Sequence, residues 1–113
     1  MTMVPDANES SRAWLHSAVE QAWQSTTTRG SVSLQERTDL VLAATHATHT
    51  AATVVRIVYT EAGGTANYRR SPPQRALRDV HAATQHGAVA PHWFEEGGRL
   101  LLGLPPSRPI ILL

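Results

Sequence analysis

Histidine is the residue in this chain best able to do chemistry, and six histidines occur among the 113 residues. His46 and His49 are three residues apart, so on a helix they share one face, a spacing that suits two metal ligands. A metal site needs further ligands, and no Asp or Glu with suitable spacing stands nearby. The pair therefore favours ordinary polar helix positions, and we expect no bound metal.

Two further histidines, His81 and His86, lie in a segment that also contains a cluster of charged residues. Because they are five residues apart, the two imidazoles would point in different directions on a helix and would not form one site. A single histidine on a helix is usually structural, although His86 alone could serve as a catalytic group. Arg75, Arg78 and Asp79 are most simply interpreted as surface ion pairs of small energetic value.

Gly63 and Gly64 follow the longest helical segment and allow two interpretations. Glycine tolerates the left-handed backbone, so the pair would ordinarily cap the helix and start a turn. The lack of side chains would also allow a ligand or a neighbouring backbone to approach closely. The residue types alone favour the cap.

The elements that must position these residues are helices, since no strand-like alternation of polar and apolar residues occurs. Ser33 and Glu36 have the S-x-x-E spacing of a capping box at the start of the second and longest helix. That helix is apolar over a wide arc, so it should be buried against more than one neighbour. The chain is predicted to be one all-α domain over residues 1–113, with helices at about residues 8–26, 34–62, 72–89 and 93–102.

Composition excludes several classes of function. There is no Cys, so disulfides, thiolate metal sites and cysteine nucleophiles are absent. A net charge of +1 and 17% charged residues give no electrostatic reason to expect nucleic acid or an acidic membrane as a partner. The N-terminus lacks the pattern of a signal peptide, and no apolar stretch approaches the ~20 residues of a membrane span. We therefore expect a cytoplasmic protein.

One segment is more specific than its separate motifs. Residues 61–86 read EAGGTANYRRSPPQRALRDVHAATQH, and residues 98–103 read GRLLLG. Together they resemble the C-terminal helical domain of the acyl-CoA dehydrogenase superfamily over roughly residues 8–104. The likeness is greater to the flavin-dependent monooxygenase branch, which includes hydroxyphenylacetate and steroid hydroxylase oxygenases and dibenzothiophene monooxygenases. The resemblance implies an up-down four-helix bundle.

The resemblance also implies roles for several residues. In the dehydrogenases the paired-glycine turn lies near the flavin dinucleotide of a neighbouring subunit, and Gly63 and Gly64 match that turn. The Arg-x-x-Arg-Asp helix of the family helps to organise subunit packing and the flavin pocket. Arg75, Arg78 and Asp79 match that motif, which makes the two arginines candidate cofactor-binding residues. The implied cofactor is FMN or FAD.

In the monooxygenase branch a helix histidine faces the flavin ring and is thought to hydrogen-bond the peroxyflavin intermediate. His86 matches that histidine and is the candidate catalytic residue. Dehydrogenases often have a Glu-Gly pair near this place, whose carboxylate removes a substrate proton. Here Gln85 and Gly87 flank His86 without a carboxylate. The resemblance therefore implies oxygenation more than acyl-CoA dehydrogenation.

The chain departs from the family by lacking the N-terminal helical domain and the middle β-barrel domain, which supply most flavin contacts. A closed, water-free site needs those surfaces. We therefore expect a truncated or split oxidoreductase domain that is inactive alone. Its partners would be further copies of itself or a chain that supplies the missing domains. The alternative is a non-catalytic helical module that keeps the fold for self-association.

Overall fold

The computed structural model describes residues 3–62 and 72–107. The prediction of an all-α, four-helix domain is confirmed, and the described residues contain no strand. None of the described helices is both long enough and apolar enough to cross a membrane. The elements in chain order are α1 Met3–Arg29, α2 Leu34–Ala62, α3 Pro72–Thr84, a 3₁₀ turn Gly87–Val89 and α4 His92–Leu101.

The central helix is α2, which packs against α1, α3, α4 and the 3₁₀ turn. The other helices make few contacts with one another in the described chain. This arrangement confirms the prediction that the second helix is buried against more than one neighbour. Its most buried positions have small or medium side chains, which let the neighbouring helices approach closely: Val41, Ala43, Thr45 and Ala52.

Two threonines in α2 are buried without leaving a polar group unpaired. Thr38 is 9% exposed and Thr45 is fully buried. The Thr38 hydroxyl donates to the Leu34 carbonyl at 2.7 Å, and the Thr45 hydroxyl donates to the Val41 carbonyl at 2.8 Å. Because each hydroxyl is satisfied within its own helix, threonine can occupy the interface at little desolvation cost.

The start of α2 has the predicted capping box. The Glu36 backbone N–H donates to Ser33 Oγ at 3.1 Å, and the Ser33 N–H donates to Glu36 Oε1 at 3.1 Å. These two bonds satisfy amide groups that a helix start leaves without partners. Gly30 precedes them with a φ of +77°, the left-handed backbone in which glycine has no steric penalty. The chain can therefore reverse between α1 and α2 within a few residues.

The carboxylate of Glu36 also ties α2 to the end of α1. Arg29 Nη2 donates to Glu36 Oε1 at 2.5 Å, and the Ser25 hydroxyl donates to Glu36 Oε2. The hydrogen bond from Ser25, followed by those from Ser33, lowers the pKa of Glu36 from its ordinary value of 4.5 to about 2. The ionised form is therefore the form that the folded state favours.

Replacing Glu36 with Gln keeps the side-chain shape and removes the charge. Because the folded-state pKa is depressed, the stabilisation by ionised Glu36 is present above pH 4.5 and is lost as the pH falls towards about 2. The difference in Tm between the wild type and Glu36→Gln should shrink to zero over that window. Thermal unfolding followed by circular dichroism checks this. A constant difference, or the same pH dependence in a Glu20→Gln control, would contradict it.

The contact between α2 and α4 is made by a small apolar cluster and a glycine. Trp93 is 6% exposed and packs with Val41 and Leu100. Gly97 lies where α4 meets α2, because a Cβ atom placed there would lie 2.7 Å from Leu42 Cδ1. A side chain at this position would therefore push the two helices apart or displace Leu42.

A valine at Gly97 should destabilise the protein, whereas a valine at Gly98 should not. Both changes alter the helix propensity equally, but a Cβ at Gly98 meets no atom within 4 Å. Overpacking of a close contact costs about 1–3 kcal/mol, and we expect the difference between the two variants to fall in that range. Chemical denaturation measures it. Equal stabilities would contradict the prediction and show that Leu42 or α4 moves aside at little cost.

The chain after α4 turns back along the helix. The Leu104 N–H donates to the Arg99 carbonyl at 2.8 Å, and Arg99 Nε donates to the Pro105 carbonyl at 3.1 Å. The Ser107 N–H then donates to Glu96 Oε2 at 2.9 Å, and its hydroxyl donates to Glu96 Oε1. Glu96 is only 3% exposed, and a buried carboxylate needs hydrogen-bond partners. The returning segment supplies them through Ser107.

Candidate functional site

The candidate catalytic residue lies just beyond the end of α3. The prediction that this helix continues to about residue 89 is wrong, since α3 ends at Thr84. The next two backbone amides bond three residues back, from Gln85 to the Ala82 carbonyl and from His86 to the Ala83 carbonyl, each at 3.1 Å. His86 itself has extended backbone angles, with φ −69° and ψ 136°. The tightened last turn and this extended residue together end the helix.

His86 is the N-terminal cap of the 3₁₀ turn. Its side chain is exposed, and its Nδ1 atom accepts a hydrogen bond from the Ala88 backbone N–H at 3.1 Å. The Val89 N–H closes the turn by donating to the His86 carbonyl at 3.1 Å. The imidazole is therefore tied to the backbone by one nitrogen, Nδ1.

The turn is held from two other helices. Trp93 Nε1 in α4 donates to the Gly87 carbonyl at 2.7 Å. His49 Nε2 in α2 lies 3.1 Å from the Val89 carbonyl and donates to it, since a carbonyl can only accept. The His49 ring also lies against Phe94, with 6.2 Å between the ring centroids. The first and the last residue of the turn are thus each fixed by a side chain from elsewhere in the fold.

The two candidate cofactor-binding arginines lie on the exposed side of α3. Arg75 and Arg78 are three residues apart and share a face of the helix. The opposite side has Leu77 and Thr84, which are more buried where α3 packs on α2. About 9 Å along the helix axis separate Arg78 from Thr84. The described candidate residues are therefore two guanidinium groups along the helix and an imidazole just past its end.

Gly63 and Gly64, the other candidate cofactor-binding residues, lie outside the described residues. Their proposed part in the site stays a prediction from the sequence resemblance. The two positions directly follow Ala62, the last residue of α2.

His46 and His49 do not form a common site. His46 Nδ1 is 3.1 Å from the Ser11 hydroxyl, and its ring lies 5.4 Å from the Trp14 ring, both in α1. His49 contacts the 3₁₀ turn instead. Within residues 3–62 and 72–107, no group of three or more His, Asp or Glu side chains is arranged to hold a metal ion.

Sequence reasoning missed the contributions of His49 and Trp93 to this site. His49 is 40 residues from Val89, and no local pattern connects positions so far apart. For Trp93 a general signal existed, because a buried indole normally finds a partner for its N–H. The sequence did not indicate that this partner would be the backbone next to His86.

Comparison with known proteins identifies the family. Residues 6–91 match the family described as the acyl-CoA dehydrogenase C-terminal domain, and this range includes His86. The chain is also 26% identical over 99 residues to an indole-3-acetate monooxygenase of Acinetobacter baumannii. That alignment covers 88% of this chain and 25% of the relative, so the chain spans about a quarter of that relative's length. The chain belongs to the acyl-CoA dehydrogenase C-terminal domain family.

Proposed function

We propose that this domain is the C-terminal helical part of a flavin-dependent monooxygenase and contributes to a flavin site only within a larger assembly. The observation that supports this most is the geometry of His86, an exposed imidazole anchored by one nitrogen. The sequence resemblance matches this residue to the family histidine. The similarity to a protein named a monooxygenase supports the same branch of the family.

Oxygenation accounts for the residues around His86 better than dehydrogenation. Removal of a substrate proton by an acyl-CoA dehydrogenase needs a carboxylate base. The neighbours of His86 are Gln85 and Gly87, and neither can act as a base. An imidazole, in contrast, can donate a hydrogen bond to an oxygen atom that acquires negative charge. Such a bond stabilises the charged oxygen most where water is excluded.

The residues on α3 fit a flavin nucleotide. When bound, the flavin supplies the reduction and activation of molecular oxygen. Arg75 and Arg78 would hold its phosphate, because a guanidinium group binds phosphate through two parallel hydrogen bonds. Gly63 and Gly64 would let the nucleotide approach the backbone closely. Both FMN and FAD meet these requirements.

The site requires other protein surfaces. Arg75, Arg78 and His86 are all exposed in the isolated chain, where water would compete for every hydrogen bond they make. Exclusion of water by further domains would strengthen those interactions. It would also limit side reactions of the oxygen that is activated at the site. We therefore expect the isolated chain to have no hydroxylase activity, and a partner chain or further copies to complete the site.

Flavin binding is the first test. Titration with FMN and FAD of the chain assembled with further copies or with the other domains, followed by flavin fluorescence, should show saturable binding that Gly64→Arg abolishes. The matched control is Gly98→Arg, which places the same side chain where a Cβ meets no atom within 4 Å. Binding that both variants weaken equally would contradict a role for the glycine pair. If the folded chain binds neither flavin, even with the other domains of the assembly present, the proposed function is wrong.

The role of His86 is tested in the assembled enzyme. His86→Ala should reduce the hydroxylated product formed per reductant consumed by about tenfold or more, the size of a lost hydrogen bond to a charged group, and should release hydrogen peroxide. His81→Ala is the matched control, since His81 is also exposed and lies on α3. Unchanged coupling in the His86 variant, or equal loss in both variants, would remove His86 from the chemistry.

A second candidate function is non-catalytic self-association. Several large apolar side chains are exposed in the described chain, among them Trp23 at 65%, Leu101 at 85% and Leu102 at 79%. Such exposure favours burial against a second copy of the chain. Light scattering of the wild type and of a Leu101→Ser, Leu102→Ser double variant separates the two functions. An oligomer that depends on these leucines but binds no flavin would favour the interaction module.

A further inference from the structure

We propose that the 3₁₀ turn fixes His86 in the tautomer with its proton on Nε2, and that Trp93 and His49 are positioning residues that hold the turn in this form. The functional meaning of this inference rests on the proposed function, because it specifies which atom of His86 would face the flavin site. The structural part concerns only residues of this chain.

The tautomer follows from the bond that His86 makes to the backbone. The Ala88 N–H is a donor and lies 3.1 Å from His86 Nδ1, so Nδ1 must provide a lone pair. In a neutral imidazole the single proton is then on Nε2. His86 therefore presents an N–H donor at Nε2. A histidine in this state donates a hydrogen bond without first binding a second proton.

Trp93 holds the beginning of the turn. Its indole N–H donates to the Gly87 carbonyl at 2.7 Å, and its ring is buried in the contact between α2 and α4. An indole can only donate, and the tight packing of its ring with Val41 leaves it few other orientations. The peptide that joins Gly87 to Ala88 accepts from Trp93 through its carbonyl and donates to His86 through its N–H, so it has a fixed orientation relative to the core.

His49 holds the end of the turn. Its Nε2 donates to the Val89 carbonyl at 3.1 Å from α2, the helix against which the turn packs. Gly87 and Val89 are thus fixed by two helices, and Ala88 lies between them. The Ala88 N–H is the group that selects the His86 tautomer. Rotation of the Gly87–Ala88 peptide would break the bond to His86. The Trp93 bond to the carbonyl of the same peptide opposes that rotation directly, and the His49 bond at Val89 holds the end of the turn.

The experiment is nuclear magnetic resonance on the uniformly ¹⁵N-labelled, flavin-free chain at mildly alkaline pH. A coupling through the hydrogen bond between the Ala88 amide nitrogen and His86 Nδ1 reports the contact directly, and long-range proton–nitrogen spectra report the tautomer. In the wild type we expect the coupling, a proton on Nε2, and slow exchange of the Ala88 amide. An Nδ1 that carries the proton, or an absent coupling, would overturn the proposal.

Variants identify the positioning residues. Trp93→Phe keeps an aromatic ring without the donor, and His49→Leu removes the second donor. Each should abolish the coupling and speed Ala88 exchange by tenfold or more in protein that circular dichroism shows to be folded. His49→Gln retains a donor and should restore the coupling. His46→Leu is the control, because His46 contacts α1 and not the turn, so it should leave the coupling unchanged.

The outcomes separate this inference from the proposed function. If neither Trp93→Phe nor His49→Leu alters the coupling, the positioning role is wrong for both residues. If only one of the two variants leaves the coupling unchanged, the residue replaced in that variant is not a positioning residue. Because no flavin is present, a fixed His86 tautomer together with failed flavin titrations would refute the proposed function only. Flavin binding with a mobile His86 would refute this inference only.

Discussion

The packing of α4 and of the 3₁₀ turn depends on Trp93, whose ring is apolar and whose indole N–H is polar. The Trp93 ring fills the contact between α2 and α4, where it meets Val41, and its N–H binds the Gly87 carbonyl. The same residue therefore fixes α4 on the central helix and the connection from α3. An indole can do both because burying its ring stabilises the core while its single donor still requires a partner. The geometry at His86 is in this way linked to the packing of the core.

The domain has a small interior for its length. Among the residues that the structure describes, the buried apolar ones are mostly alanines, and several larger apolar side chains are exposed. The Cα radius of gyration is 16.6 Å, whereas a compact chain of this length would have about 13 Å. Helices arranged along one central helix produce this elongated form, 52 by 27 by 24 Å. Such a surface supports the proposal that the domain works against other protein surfaces.

The helices could be predicted from local signals, but the site could not be predicted fully. The capping box of Ser33 and Glu36 formed as expected, because its bonds connect residues that are close in sequence. The end of α3 was predicted too late, although Gly87, a residue that often follows the end of a helix, stands directly after His86. Bonds from Trp93 and His49 hold the turn that follows, and His49 is far from it in sequence. The family resemblance marked His86 as a candidate, whereas its backbone geometry required the three-dimensional structure.

The returning segment after α4 places Ser107 beside the middle of that helix. Ser107 is bound to Glu96, which lies about 7 Å back from Leu101 along the helix axis. A fluorophore, affinity tag or tether joined after Ser107 would therefore start beside the middle of α4 and not beyond its end. Its point of attachment would be held by the two hydrogen bonds from Ser107 to the buried carboxylate of Glu96. Distance measurements that use such a label would report the position of α4 itself, with little contribution from the linker.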